Sequence, residues 1–316
     1  LSRAADSPYP VHIYGPVPSR RLGYSLGIDI LPFKTCSLDC IYCQLGATRR
    51  TTIRRRRYFD EEKILAQIEK IVSAPHEIDY ITFSGSGEPT LNVALESLIR
   101  KIKTVTDIPV AVLTNGTLLT RPQVRNALLA ADLVVPSLDA ATQEVFEKIN
   151  RPHLKLKVAD IIASLKQFRR EFSGRIWIEV MLVAGINDSP DHIRRLKAVI
   201  ASLNPEKVQL NTVVRPPAEN LAQPLDRNAL ERIRRIMGGK TEIIADFSHL
   251  PQPPAHRSVQ DAILALVKRR PATIDDLIHG LGQHRDQVVK AADALVRLGK
   301  IRVRDHDRHK YYEPYD

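Results

Sequence analysis

Ser25-Leu-Gly-Ile-Asp-Ile-Leu31, running through Pro32-Phe-Lys-Thr into Cys36-Ser-Leu-Asp-Cys40-Ile-Tyr-Cys43, decides how the rest of the chain is read. An apolar, Ile-rich run bounded by proline reads as a strand. It feeds a loop with three cysteines spaced C-x3-C-x2-C. These are the only cysteines in 316 residues. An odd number so tightly grouped is a poor disulfide framework and a good metal site, and it suits a reducing compartment such as the cytoplasm. Thiolates are soft ligands matched to iron–sulfur clusters, and a short loop can wrap three of them around one cube. Three protein ligands leave the fourth iron open to a substrate or cofactor. The competing metal is zinc completed by a histidine; His12 and His76 stand nearest, neither at a compact zinc spacing.

Outward from this loop, Val- and Ile-rich runs alternate with amphipathic segments, the pattern of repeated βα units around a parallel sheet. Strands are expected at residues 25–31, 80–84, 110–114, 133–137, 176–183 and 207–213, with a further one near 242–246. Helices are expected at 61–71, 91–104, 123–131, 158–172, 191–203 and 228–237, each with apolar residues three and four apart. About six units imply an α/β fold, a partial or nearly closed (β/α) barrel, whose chemistry belongs to loops after the strands' C-terminal ends.

Several of those loops carry polar or glycine-rich signals. Phe83-Ser-Gly85-Ser86-Gly87-Glu88-Pro89 follows the second strand, Leu-Thr-Asn115-Gly the third, and Ser137-Leu-Asp139 the fourth. Val183-Ala-Gly-Ile-Asn187-Asp188 follows the fifth. With the aromatic Tyr42 before the last cysteine, this set resembles the radical S-adenosylmethionine (SAM) superfamily over residues 15–247. The resemblance implies a [4Fe-4S] cluster on Cys36, Cys40 and Cys43, its open iron chelating the amino and carboxylate groups of SAM. An external one-electron donor, such as a flavodoxin or ferredoxin, then drives cleavage to methionine and a 5′-deoxyadenosyl radical that abstracts hydrogen from a substrate. Tyr42 is expected near the adenine, and Gly85, Ser86, Gly87 and Glu88 near the methionine ammonium. Ser137 and Asp139 are expected towards the ribose, Arg151 at the SAM carboxylate and Asn187 near the adenine and the substrate side, with Asn115 a further cofactor-binding candidate. Glu179, Gln209, Asn211 and Arg215 are the substrate-side candidates.

The lead-in Gly15-Pro-Val-Pro-Ser-Arg-Arg-Leu-Gly23, with Pro32-Phe-Lys-Thr-Cys36, resembles a branch grouped with wyosine-type tRNA-modifying enzymes. That inclines the expected substrate towards RNA or a nucleotide-like molecule. The tricyclic-base synthases of that group carry further cysteines for a second cluster, and this chain has none. Wyosine synthesis itself, and chemistry needing auxiliary clusters, are therefore not expected.

The Pro-rich break at residues 250–256 divides an expected barrel domain, 1–250, from a small domain, 251–316. Helices near 258–268, 273–280 and 284–298 precede a hairpin within 299–312, resembling a winged helix. Thr273 is the expected N-cap of the second of these helices, with Asp276 at the capping-box distance. The net charge of +11 favours polyanionic partners or anionic cofactors. Its densest run, Arg49, Arg50 and Arg54–Arg57, follows the cysteines. Residues 257–316 carry 12 basic and 9 acidic side chains, a weak excess for a DNA reader. A regulatory iron–sulfur protein that binds DNA through the winged helix is nevertheless the alternative reading. No apolar run is long enough to span a bilayer. Residues 1–11 lack the basic-then-apolar order of a secretory signal, and a start at Leu1 is compatible with a removed upstream segment.

Overall fold

A computed structural model describes residues 13–19, 21–48, 50–245, 259–281, 285–306 and 309–315. The Pro-rich break at 250–256 lies outside them, as do His12 and Arg49. Chain order is β1 (Ile13–Ser19), β2 (Gly23–Ile28), α1 (Glu61–Val72), β3 (Tyr80–Phe83), α2 (Leu95–Val105), β4 (Val110–Thr114), α3 (Pro122–Leu128) and β5 (Leu133–Pro136). There follow α4 (Gln143–Asn150), α5 (Val158–Glu171), β6 (Arg175–Leu182), α6 (Pro190–Leu203), β7 (Lys207–Thr212), α7 (Arg227–Met237) and β8 (Thr241–Ile243).

The eight strands pair in sequence order. Strands β2 to β8 run parallel and β1 runs antiparallel to β2. The sheet is open, with β1 and β8 at its edges, so the barrel is partial. Strands β3 to β5 are almost wholly buried, which is why they read as continuous apolar runs. The helices set their starts with local side chains: Asp60, Thr142, Ser189 and Asp226 each accept a hydrogen bond from a first-turn N–H.

Two elements were not anticipated. Strand β1 is disguised by Pro16 and Pro18, which a strand tolerates when only one edge is paired. Its register against β2 shifts between Tyr14 and Val17, where those prolines begin. Helix α4 spans eight residues and is opened by Thr142, whose side chain accepts from Val145 N–H.

Residues 259–281, 285–306 and 309–315 pack about a second apolar cluster that includes Ile263, Leu277, Val288, Leu295 and Ile301. Three helices, α8 (Val259–Val267), α9 (Ile274–Leu281) and α10 (Arg285–Arg297), precede the antiparallel pair β9 (Ile301–His306) and β10 (His309–Pro314). At the start of α9, Asp276 N–H donates to Thr273 Oγ1 and Thr273 N–H donates to Asp276 Oδ2, both at 3.0 Å. This is the reciprocal capping box that the sequence signals. The small unit rests against the sheet: Val17 of β1 packs on its core, and Tyr311 donates to the carbonyl of Val214 at 2.5 Å. No helix among the described residues is long and apolar enough to cross a membrane.

Candidate active site at the strand ends

The cysteine loop leaves β2 and is pinned by backbone bonds to distant segments. Ile41 N–H donates to Ile149 O, Asp39 N–H to Asn150 O and His153 N–H to Ser37 O. Each sulfur accepts one N–H donor from a separate side chain. Lys34 Nζ lies 3.1 Å from Cys43 Sγ, Asn115 Nδ2 lies 3.5 Å from Cys36 Sγ and Asn150 Nδ2 lies 3.4 Å from Cys40 Sγ. Burial pushes the Cys36 thiol up to about 12, and the Cys40 thiol well above its usual range. Thiolates placed here need positive charge from iron as well as these donors, so the donor set fits an iron–sulfur cluster. Among the described residues, no three Cys, His, Asp or Glu side chains form a group able to hold one metal ion. A cube spreads its ligands more widely than a single zinc ion does.

Above this loop lies a cavity of about 410 Å³, lined in part by Cys36, Tyr42, Cys43, Gly85, Gly87 and Glu88. Gly85 has φ +142°, and an added Cβ there would meet Asp29; at Gly87 a Cβ would come within 1.9 Å of Thr35 O. Both positions therefore require glycine, and both bring backbone to the cavity wall. Ser86 turns away: its N–H and hydroxyl both donate to Asp29 Oδ2, at 3.1 and 2.5 Å. Glu88 is 2 % exposed and accepts from Thr90 N, Thr90 Oγ1, Thr114 Oγ1 and Asn115 N, at 2.5 to 3.1 Å. Its carboxylate thus ties β3's loop to the end of β4. Burial raises its pKa against those bonds.

Asn115 and Ser137 border both this cavity and a smaller one of about 20 Å³ that Asp139 and Asn150 help line. Asp139 is buried and accepts from Tyr42 OH at 2.5 Å, Asn150 Nδ2 at 2.8 Å and Met181 N at 2.9 Å. Burial outweighs these bonds and lifts its carboxyl to about 6. Asn187, fully buried, spends its amide on Asp139 O, Met181 O and Val183 N, lacing β6 to the loop after β5. Arg151 reaches Glu219 Oε1 at 2.7 Å and does not line the cavity.

Of the substrate-side candidates, Glu179, Asn211 and Arg215 line the cavity. Gln209 does not; it donates to Glu242 Oε1 at 2.7 Å, across to β8. Residues 209 and 211 share a face of β7, so depth separates them: 211 lies near the strand's mouth, at the cavity, and 209 one repeat further in.

Sequence reasoning did not single out Arg21, Tyr14, Asp29, Arg269 or Arg270. Arg21 grips Glu179 with two bonds, 2.8 and 2.6 Å, across 158 positions of sequence. Such a pairing has no local period; the only hint was Arg21's place in the unusual lead-in to β2. Arg269 and Arg270 follow α8, where a basic pair reads as an ordinary partner of the helix's negative end. Arg21→Met is expected to destabilise the chain by about 2 kcal/mol, because it removes the cation from a largely buried carboxylate. Arg21→Met with Glu179→Gln should recover most of that loss, as urea denaturation of the four-member cycle would show.

Comparisons with known proteins agree with this geometry. The model of the Radical SAM superfamily matches residues 30–196. A UPF0026 protein of Methanocaldococcus jannaschii is 33 % identical over 95 % of this chain and 94 % of its own length. The GTPase Obg of Brachyspira hyodysenteriae is 36 % identical over 92 % of this chain, but the chain spans only 43 % of that protein's length. The dual-specificity RNA methyltransferase RlmN of Nitratidesulfovibrio vulgaris is 28 % identical over 59 % of this chain and 52 % of its own. Among solved structures, a radical SAM methyltransferase from Sphaerobacter thermophilus superposes with a TM-score of 0.52 at 16 % identity. It covers 69 % of this chain and 65 % of that one, a likeness of fold. With the family model spanning more than half the sequence, over a three-cysteine loop and glycine-built cavity at the strand ends, the chain belongs to the radical SAM superfamily.

Proposed function

We propose that Cys36, Cys40 and Cys43 hold the [4Fe-4S] cluster of this radical SAM enzyme, and that the cavity beside them receives SAM and the substrate. The observation that carries this reading is the provision of one N–H donor to each of three sulfurs, at the edge of a glycine-walled cavity. Held by Cys36, Cys40 and Cys43 and reduced by an external donor such as a flavodoxin or ferredoxin, the cluster would supply one-electron reduction, the chemistry that splits SAM into methionine and a 5′-deoxyadenosyl radical.

The chain's own residues bind and orient. Gly85 and Gly87 admit the methionine portion close to backbone, with Glu88 fixing the loop that carries them. Tyr42 is held by Asp139 and flanks the adenine; Asn115 and Ser137 stand towards the ribose. Asp139 and Asn187 position these groups, and Arg151, paired with Glu219, steadies the cysteine loop at α4's end. Glu179, held by Arg21, and Asn211 line the substrate side. The three helices and hairpin of the small unit form a winged helix that covers the cavity, since Leu266, Arg269 and Arg270 reach into its wall. That use of the unit favours an enzyme over a DNA-binding regulator. Likeness to an RNA methyltransferase, together with the net charge of +11, supports RNA or a nucleotide-like substrate. Three clustered cysteines, suited to a metal site and not to a disulfide framework, support a cytoplasmic setting.

Reconstituted anaerobically and given SAM and dithionite, the protein should form 5′-deoxyadenosine and methionine in equal amounts. A cluster-loaded protein that forms neither, with or without total tRNA, would overturn the reading.

A further inference from the structure

Both parts of the chain send arginines to the same cavity wall. Arg269 and Arg270 come from the turn after α8, and Arg215 from just beyond β7. Arg215 is 4 % exposed, and its Nη2 lies 3.5 Å from Oδ1 of Asp276. The other oxygen of Asp276 is engaged in the capping box of α9. Arg269 pairs with Asp29 and lies over the Tyr14 ring, 4.3 Å from its centroid. Asp29 in turn holds Ser86, so Arg269 is fixed by the same carboxylate that shapes the glycine loop. Burial lowers the pKa of Arg270 from its ordinary value, as expected for a guanidinium drawn out of water.

A guanidinium presents five N–H donors in a fixed fork, so one face can hold a protein carboxylate while another meets a ligand. Three such groups line the same cavity, two carried by the turn after α8 and one by the segment after β7. One carboxylate has two oxygens in a plane, whereas a phosphate offers three or four oxygens in a tetrahedron, the shape that convergent forks satisfy. The geometry points to a phosphate-binding wall: Arg215, Arg269 and Arg270 hold a phosphate group of the substrate, and the small unit supplies two of the three. This rests on the radical SAM reading and narrows its substrate to a phosphate-bearing molecule, whether a free nucleotide or a nucleotide within RNA. The same contacts place the small unit beside the glycine loop, because Arg269 and that loop share Asp29.

Calorimetric titration of the cluster-loaded full chain with uridine 5′-monophosphate, uridine and a short oligoribonucleotide tests this without turnover. Uridine 5′-monophosphate should bind at least about ten-fold more tightly than uridine, in keeping with charge-assisted hydrogen bonds to the added group. Arg270→Gln and Arg215→Gln should each remove about ten-fold of that affinity, Arg270→Lys should restore part of it, and Arg100→Gln on the exposed face of α2 should not alter it. Tighter binding of the oligonucleotide than of the monophosphate, with the same sensitivity to Arg270→Gln, would assign the phosphate to RNA; the reverse would assign it to a free nucleotide. Equal binding of uridine and its monophosphate, no saturable binding of either phosphorylated probe, or indifference to both glutamine variants would overturn the proposal. Thermal melting separates misfolding from loss of the site. Failure of the radical SAM reading would show independently, as absence of 5′-deoxyadenosine from the unaltered enzyme.

Discussion

Cys40→Ala is expected to reduce 5′-deoxyadenosine formation to background and to cost the protein its [4Fe-4S] absorbance, while leaving it folded. Two thiolates cannot hold the cube with one iron open to SAM, so the effect on cleavage is close to all-or-none. The fold should survive because the loop is held by its backbone: the bonds from Ile41 to Ile149, Asp39 to Asn150 and His153 to Ser37 do not involve sulfur. Cys40 Sγ accepts an amide donor from Asn150 and no backbone bond of the loop depends on it, so its truncation should cost about 1 kcal/mol of stability. Iron content, visible absorbance and melting temperature, measured together, distinguish lost chemistry from lost structure. Wild-type rates of cleavage in a variant depleted of iron would show that the cysteine loop is not the seat of the reaction.

The parts legible from sequence were those with short-range signatures. The thiolate loop, the turn at Gly85–Gly87 and the alternating apolar runs of β3 to β7 each announce themselves within a few residues. So does the box between Thr273 and Asp276. Interactions made between distant segments did not. Asn187 was expected to face SAM because it follows β6, yet its amide completes three backbone bonds; position at a strand end does not fix which way a side chain turns. Gln209 shows the same limit along β7, where placement on the strand left open its bond to Glu242. Glu88 was anticipated as an anionic partner for a ligand, but four internal donors already converge on it. Arg21 and Arg269 acquire meaning only when Glu179 and Asp29 are brought across the fold to meet them. Pattern finds the scaffold and the cluster loop. The division of polar groups between those that face the cavity and those that hold its walls depends on three-dimensional packing.

Gly87→Ala should be the most damaging single methyl addition to the cavity wall, costing about 3 kcal/mol or more and abolishing measurable SAM binding. The backbone here runs beside the strand entering the cysteine loop: Gly87 bridges Thr35, Glu88 N–H donates to Thr35 O at 3.0 Å, and Lys34 N–H donates to Ser86 O at 2.7 Å. A Cβ on Gly87 would sit 1.9 Å from Thr35 O and 2.8 Å from its carbonyl carbon. The obstacle is main chain, so no rotamer change relieves it; the segment leading to Cys36 must move instead. Strain introduced in the glycine loop is thereby delivered to the segment entering the first cysteine, coupling the two loops through one carbonyl. Gly46→Ala is the matched comparison, with φ +84° but nothing within 4 Å of the added carbon. It should cost only about 1 kcal/mol, the conformational penalty alone. Urea denaturation of both variants, with SAM titration of the cluster-loaded forms, reads the difference. If Gly87→Ala proves no worse than Gly46→Ala and still binds SAM, the glycine loop and the cysteine loop move independently. Close backbone contact would then not be what shapes the SAM site.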